Sequence, residues 1–198
     1  MRRTRAAVAI LAALIWGTQP AVAAHPSTFG SARGLLLTPR LLPHRYHYHG
    51  LFVQDSVRDW DGGIKPLIAI DERFGWIEGA QESVTDPGGR RARLSVQLFR
   101  SAPGARGDFA QFFTNAHPET LYEPGAQWLG SSPVSGLGNP ASIYREQSDA
   151  SSCPQGLVAG VTYVYGNGIF SVGVCLRTVG EQGARDLARR MMSRAMHH

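Results

Sequence analysis

Beyond residue 34 the apolar side chains recur at two different spacings, and the change of spacing divides the chain into elements. From Arg91 to Ser101, Ala92, Leu94, Val96 and Leu98 alternate with Arg91, Arg93, Ser95 and Gln97. Period two with one polar side predicts a strand of an antiparallel sheet wetted on one face. Phe74 to Thr85, the turn Asp86-Pro87-Gly88-Gly89 and this segment together predict strand, turn, strand. Ala105, Phe109, Phe112, Phe113 and Ala116 then recur at i, i+4, i+7, i+8 and i+11. That spacing predicts an amphipathic helix near 103–116, stopped before Pro118.

The C-terminal third shows the same switch. Leu157 to Tyr165, Gly166-Asn167-Gly168 and Ile169 to Arg177 predict a β-hairpin. With Asn167-Gly168 as the tight turn, Val161, Tyr163 and Tyr165 would oppose Val174, Val172 and Phe170. Ala184, Leu187, Ala188, Met191, Met192 and Ala195 form the stripe of a closing helix over 180–196, and Thr178 with Glu181 has capping-box spacing. Upstream, Gly34 to Pro43 reads as an extended arm or one helical turn, and Arg45 to Val53 as a strand. Ile64 to Ile70 forms a short element of either kind. Residues 118–139 read as loop with Trp128-Leu129 as a buried anchor, and Ala141 to Gln147 as a further strand. The fold class expected is α+β, an antiparallel β-sheet with helices packed on one face. Residues 34–196 would form a single domain after a flexible linker at 25–33.

The first 24 residues change how composition is read. Three arginines (Arg2, Arg3, Arg5), an apolar run from Ala6 to Trp16 and Ala21-Val22-Ala23-Ala24 have the three-part order of a cleavable export signal, cut after Ala23 or Ala24. The apolar run is about half the roughly 20 residues needed to span a bilayer. The mature chain is therefore expected to be secreted or extracytoplasmic, without a membrane span. Removing those arginines lowers the formal charge from +5 to about +2. No basic stripe interleaved with aromatic residues is present, so nucleic acid is not an expected partner. Cys153 and Cys175, both in the exported part, are expected to form a disulfide, because an oxidising compartment favours pairing.

Several segments taken together have a familiar order: GLLLTPRLLP, FGWIEGAQESVT, LSVQLFRSAPGARGDFAQFF, GLGNPASIY and the closing hairpin and helix. This order is similar to a group of small exported bacterial proteins, including extracytoplasmic sensor-like domains of actinobacterial kinases and PsbP-like lipoproteins. The resemblance spans most of 34–196. It implies an antiparallel sheet with packed helices, and ligand binding or envelope interaction rather than catalysis. The chain lacks the lipid-attachment cysteine and any kinase segment, so no site residue is carried over.

Candidate chemistry is sparse. His47 and His49 on one strand would project to the same face about 6.5–7 Å apart, a spacing that two imidazoles on one metal can use. His44 would point the other way, and His117 or Asp55 are further donors of unknown position. His25, if left at the N-terminus, has the donor set of a copper brace. Asp59-Trp60-Asp61-Gly62 lacks the later oxygens of a calcium loop. No G-x-S-x-G elbow, phosphate loop or cofactor motif occurs. Tyr46, Tyr48, Trp76, Tyr163 and Tyr165 are candidates for a ligand groove or for the core. Three functions follow: a secreted non-enzymatic binding or sensing module for a small ligand or cell-envelope component, a metal-dependent enzyme using His47 and His49, and a structural envelope protein.

Overall fold

The computed structural model describes residues 28–43, 46–86, 88, 89, 91–112, 126–149 and 153–198. The export signal, His25, His44 and His117 lie outside them. Seven strands form one sheet: β1 (His47–Gln54), β2 (Trp76–Thr85), β3 (Arg91–Phe99), β4 (Gln127–Pro133), β5 (Ala141–Gln147), β6 (Leu157–Tyr165) and β7 (Gly168–Cys175). Their order is β1-β2-β3-β7-β6-β5-β4, with every neighbouring pair antiparallel. The helices are α1 (Val57–Trp60), α2 (Lys65–Phe74), α3 (Ala102–Gln111) and α4 (Gly180–Met196), with a 3-10 turn at Arg33–Leu35.

Strand alternation decides which helix meets which face. Leu94, Val96, Val161, Tyr163, Phe170 and Val172 bury their side chains against Ala184, Leu187, Ala188 and Met191 of α4. The N-terminal segment closes the same layer with Phe29, Leu35, Leu36, Leu37 and Leu42. Tyr163 stacks on Phe170 at 5.0 Å between ring centroids, and its hydroxyl donates to Ala188 O at 3.2 Å. The neighbours in sequence, Val164 and Ile169, point the other way and join Trp76, Phe99, Ala105 and Phe109 in a second cluster beneath α1–α3. One face is therefore covered by α4 together with the N-terminal segment, and one end of the opposite face by α1–α3.

The segment 64–70 resolves as helix. Pro66 sits at its start, and Gly75 at φ +79 ends it, its N–H reaching Asp71 O and Glu72 O. Ser101 caps α3 by accepting from Gly104 N. Gly104 and Gly107 let α3 lie directly on α2, since a Cβ at either would fall 2.2 Å from Phe74 O or 2.4 Å from the Phe74 ring.

Four local expectations are corrected. The β6–β7 turn is Gly166-Asn167, with Gly166 at φ +58, so Tyr163 opposes Phe170 and Val161 opposes Val172. This shifts the register by two residues while keeping each side chain on its face. Asn167 is drawn inward because Nδ2 donates to Phe99 O at 2.7 Å and Oδ1 accepts from Phe29 N at 2.8 Å. Gln127–Pro133 is an edge strand, and Leu129 is exposed, because β4 pairs only with β5 and bulges at that residue. Thr178 does not cap α4: its hydroxyl donates to Asp86 Oδ2 at 2.7 Å, and Glu181 pairs with Arg145. Phe29 and Ala32, inside the stretch read as linker, are buried in the α4 layer.

Candidate functional site

The face opposite α4, beyond the reach of α1–α3, is built from small and polar side chains. The register places Phe52, Gln81, Ser95, Ser171, Thr162 and Ser142 in one row across six adjacent strands. The next row is Gly50, Ser83, Arg93, Gly173, Gly160 and Tyr144. Directly paired residues of an antiparallel sheet project to the same side, so these rows are one surface. Thr162 and Ser171 hydrogen-bond through their hydroxyls at 3.0 Å, and Ser142 donates to Ser132 O at 3.1 Å. Gln81, Ser83, Ser95 and Ser171 are half-buried, and Arg91 and Arg93 are exposed.

Two aromatic features bound this surface. Trp60 lies over Gly79, where a Cβ would come within 2.3 Å of the indole. At the other side Tyr144 lies over Gly160 and stacks on Trp128 at 5.2 Å and 14°. The disulfide Cys153–Cys175 has formed as expected, and it ties the segment leading into β6 to the end of β7. The alternation of β3 had marked Arg91, Arg93, Ser95 and Gln97 as the wetted side. Its partners on β7, β6 and β5 were not marked, because glycine, serine and threonine carry little periodic signal.

His47 and His49 are both exposed on β1. The strand is irregular between Tyr48 and Gly50, so His49 is the extra residue of a bulge, and its Nε2 is hydrogen-bonded to Thr85 Oγ1. Among the described residues no three His, Cys, Asp or Glu side chains gather so as to hold a metal ion. The five aromatic candidates do not share a groove. Tyr163 and Trp76 lie in opposite core layers, Tyr46 and Tyr165 pack against the α4 layer, and Tyr48 is exposed.

A group of acids that no motif announced lies in the α1–α3 layer. Asp61, Asp71 and Asp108, which end α1, sit in α2 and sit in α3, are only 1%, 7% and 7% exposed. Burial first, then the charges of Asp108 and Asp61, push Asp71 up to about 9; burial and Asp61 push Asp108 up to about 6 against a lowering hydrogen bond from Asp71. The pair therefore titrates as a unit and keeps one proton through the neutral range, Asp71 donating to Asp108. Their burial closes them to a substrate. On the α4 face Glu82, 2% exposed, is pushed up to about 7 by burial, opposed by the Leu37 backbone and the charge of Arg194.

Fold and surface together define an α+β protein with a seven-stranded antiparallel sheet, covered by helices on one face and partly bare and polar on the other. Among solved structures it is similar to the extracellular domain of PknH from Mycobacterium tuberculosis, with a TM-score of 0.54 and 13% sequence identity. The match covers 84% of this chain and 95% of that one. At that identity the likeness is one of fold. No family model and no curated protein matches the chain. No helix among the described residues is long and apolar enough to cross a membrane.

Proposed function

We propose that this chain is an extracytoplasmic, non-enzymatic binding or sensing module whose ligand lies on the polar face of the sheet. The observation that carries this reading is the row Gln81, Ser95, Ser171, Thr162 and Ser142, a continuous strip of amide and hydroxyl groups across five adjacent strands, with the rings of Trp60 and Tyr144 at its two sides. The fold shared with an extracellular domain, the disulfide and the export-type N-terminus support the compartment. The acids with shifted protonation are sealed in the interior, away from the polar face.

Amide chemical-shift mapping with a small-molecule library tests the assignment. Ligand-induced shifts are expected to cluster at Gln81, Ser95, Ser171 and Gly173, and Ser171→Trp is expected to abolish them while leaving the circular dichroism native. Shifts clustered over α4, or no shifts from any ligand, would overturn it.

A further inference from the structure

The corner of the polar face at β1, β2 and β3 carries a charge that nothing in the fold uses. His47 pairs with Thr85 and Thr85 with Arg91, while Gly50, Ser83 and Arg93 form the adjoining row. His49 reaches the same side through its hydrogen bond to Thr85 Oγ1. Four nitrogen-bearing side chains thus stand around the hydroxyls of Ser83 and Thr85. Three strands at about 4.8 Å spacing make the patch about 10 Å wide. The acids nearby in sequence face elsewhere. Asp86 is buried and accepts from Gly88 N and Thr178, Glu82 lies beneath α4, and Glu78 accepts from Ala32 N and Ser31. Among the described residues neither Arg91 nor Arg93 forms an ion pair.

We propose that this corner binds a linear polyol phosphodiester chain, an inference that rests on the ligand lying on the polar face. An exposed cation holds one small anion weakly against water. A chain of linked anions meets several cations at once and releases their counterions, so an open patch of this kind suits a polymer. Arg91 and Arg93, two residues apart on one strand, are about 6.5–7 Å apart along it and can take successive phosphates, guanidinium to oxygen. Inward from them, Ser95 and Gln81 offer hydroxyl and amide groups to the polyol. A base-bearing chain would call instead for a run of stacking rings, whereas a single exposed ring, that of Phe52, stands beside Gln81 among the described residues.

The test is titration of the purified protein with a short synthetic poly(glycerol phosphate), read by calorimetry at several salt concentrations. Arg91→Gln with Arg93→Gln is expected to weaken binding about tenfold and to lower the slope of log affinity against log salt by about two. Ser95→Ala with Gln81→Ala is expected to weaken binding with the slope unchanged. Thermal melts identify any variant that has failed to fold, and Arg91→Lys, which keeps the charge, is expected to retain most of the affinity. Absence of polymer binding, binding indifferent to the arginine pair, or equal affinity for oligothymidylate or for anionic lipid vesicles would each overturn the proposal. If the polymer fails while a library ligand still shifts Ser95 and Ser171, only this inference falls. If nothing shifts the polar face, the functional reading falls with it.

Discussion

Asp71 on α2 donates a hydrogen bond to Asp108 on α3, carboxyl to carboxylate, inside the helical layer that caps one end of the sheet. Two helices that Gly104 and Gly107 bring into direct contact are thus joined by a bond that needs one proton. The folded protein holds protons that the unfolded chain releases near the ordinary carboxylate range. Stability from this pair is fully present below about pH 4 and is lost as pH climbs through the neutral range toward 9. Asp71→Asn keeps a donor toward Asp108 and removes the titration. It is expected to flatten this decline and to stabilise the protein at pH 8.5 by about 1–3 kcal/mol. Urea denaturation at pH 5 and 8.5 measures it; an unchanged difference between the two would refute the shared proton.

Glu82 and Arg194 hold the N-terminal segment to the sheet. Arg194 Nε donates to Gly34 O at 2.7 Å, and the same guanidinium lowers the Glu82 midpoint. Arg194→Ala is expected to move that midpoint above about 7 and to open residues 28–43 to proteolysis. A carbon-13 titration of the Glu82 carboxyl reads the first effect, and cleavage rates read the second. A midpoint that stays put would show that Arg194 exerts no field on Glu82.

Asn167 joins three distant segments by bonding to Phe99 O and Phe29 N. Asn167→Ala leaves both buried backbone groups without their partner, at a cost of about 2–4 kcal/mol. Asn167→Asp retains only the acceptor and is expected to cost a comparable amount. Chemical denaturation checks both, and a loss under about 0.5 kcal/mol for the alanine variant would contradict this role.

The Cys153–Cys175 bridge closes a separation of 22 residues. Chain-entropy reasoning puts its contribution at about 3 kcal/mol, so the Cys153→Ser, Cys175→Ser protein is expected to unfold at correspondingly lower denaturant. Reduction of the native protein should reproduce that shift, and identical midpoints with and without reductant would set the estimate aside.

Legibility followed periodicity. The stripe of α4 and the alternation of β3 could be read directly, since one face of each is apolar. β4 could not, because an edge strand with the sequence QWLGSSP buries no regular side. Of the polar face, the strip on β3 was visible in the alternation of that strand. Its continuation became visible only when Ser171, Thr162 and Ser142 were placed in register with Ser95. The three aspartates gave no signal at all, since Asp61, Asp71 and Asp108 lie on separate helices whose spacing does not set them apart from solvated acids.

From its sequence alone this protein was expected to form an antiparallel sheet with an amphipathic C-terminal helix and, in an oxidising compartment, a pairing of its two cysteines. Those features depend on side-chain spacing and on which residues are present. Register, strand order and the meeting of distant side chains were decided only in the folded molecule. A two-residue slip of a hairpin leaves every side chain on its proper face, so hydrophobic pattern cannot detect it. The pull of Phe99 and Phe29 on Asn167 can, because those bonds exist only when segments far apart in the chain pack together.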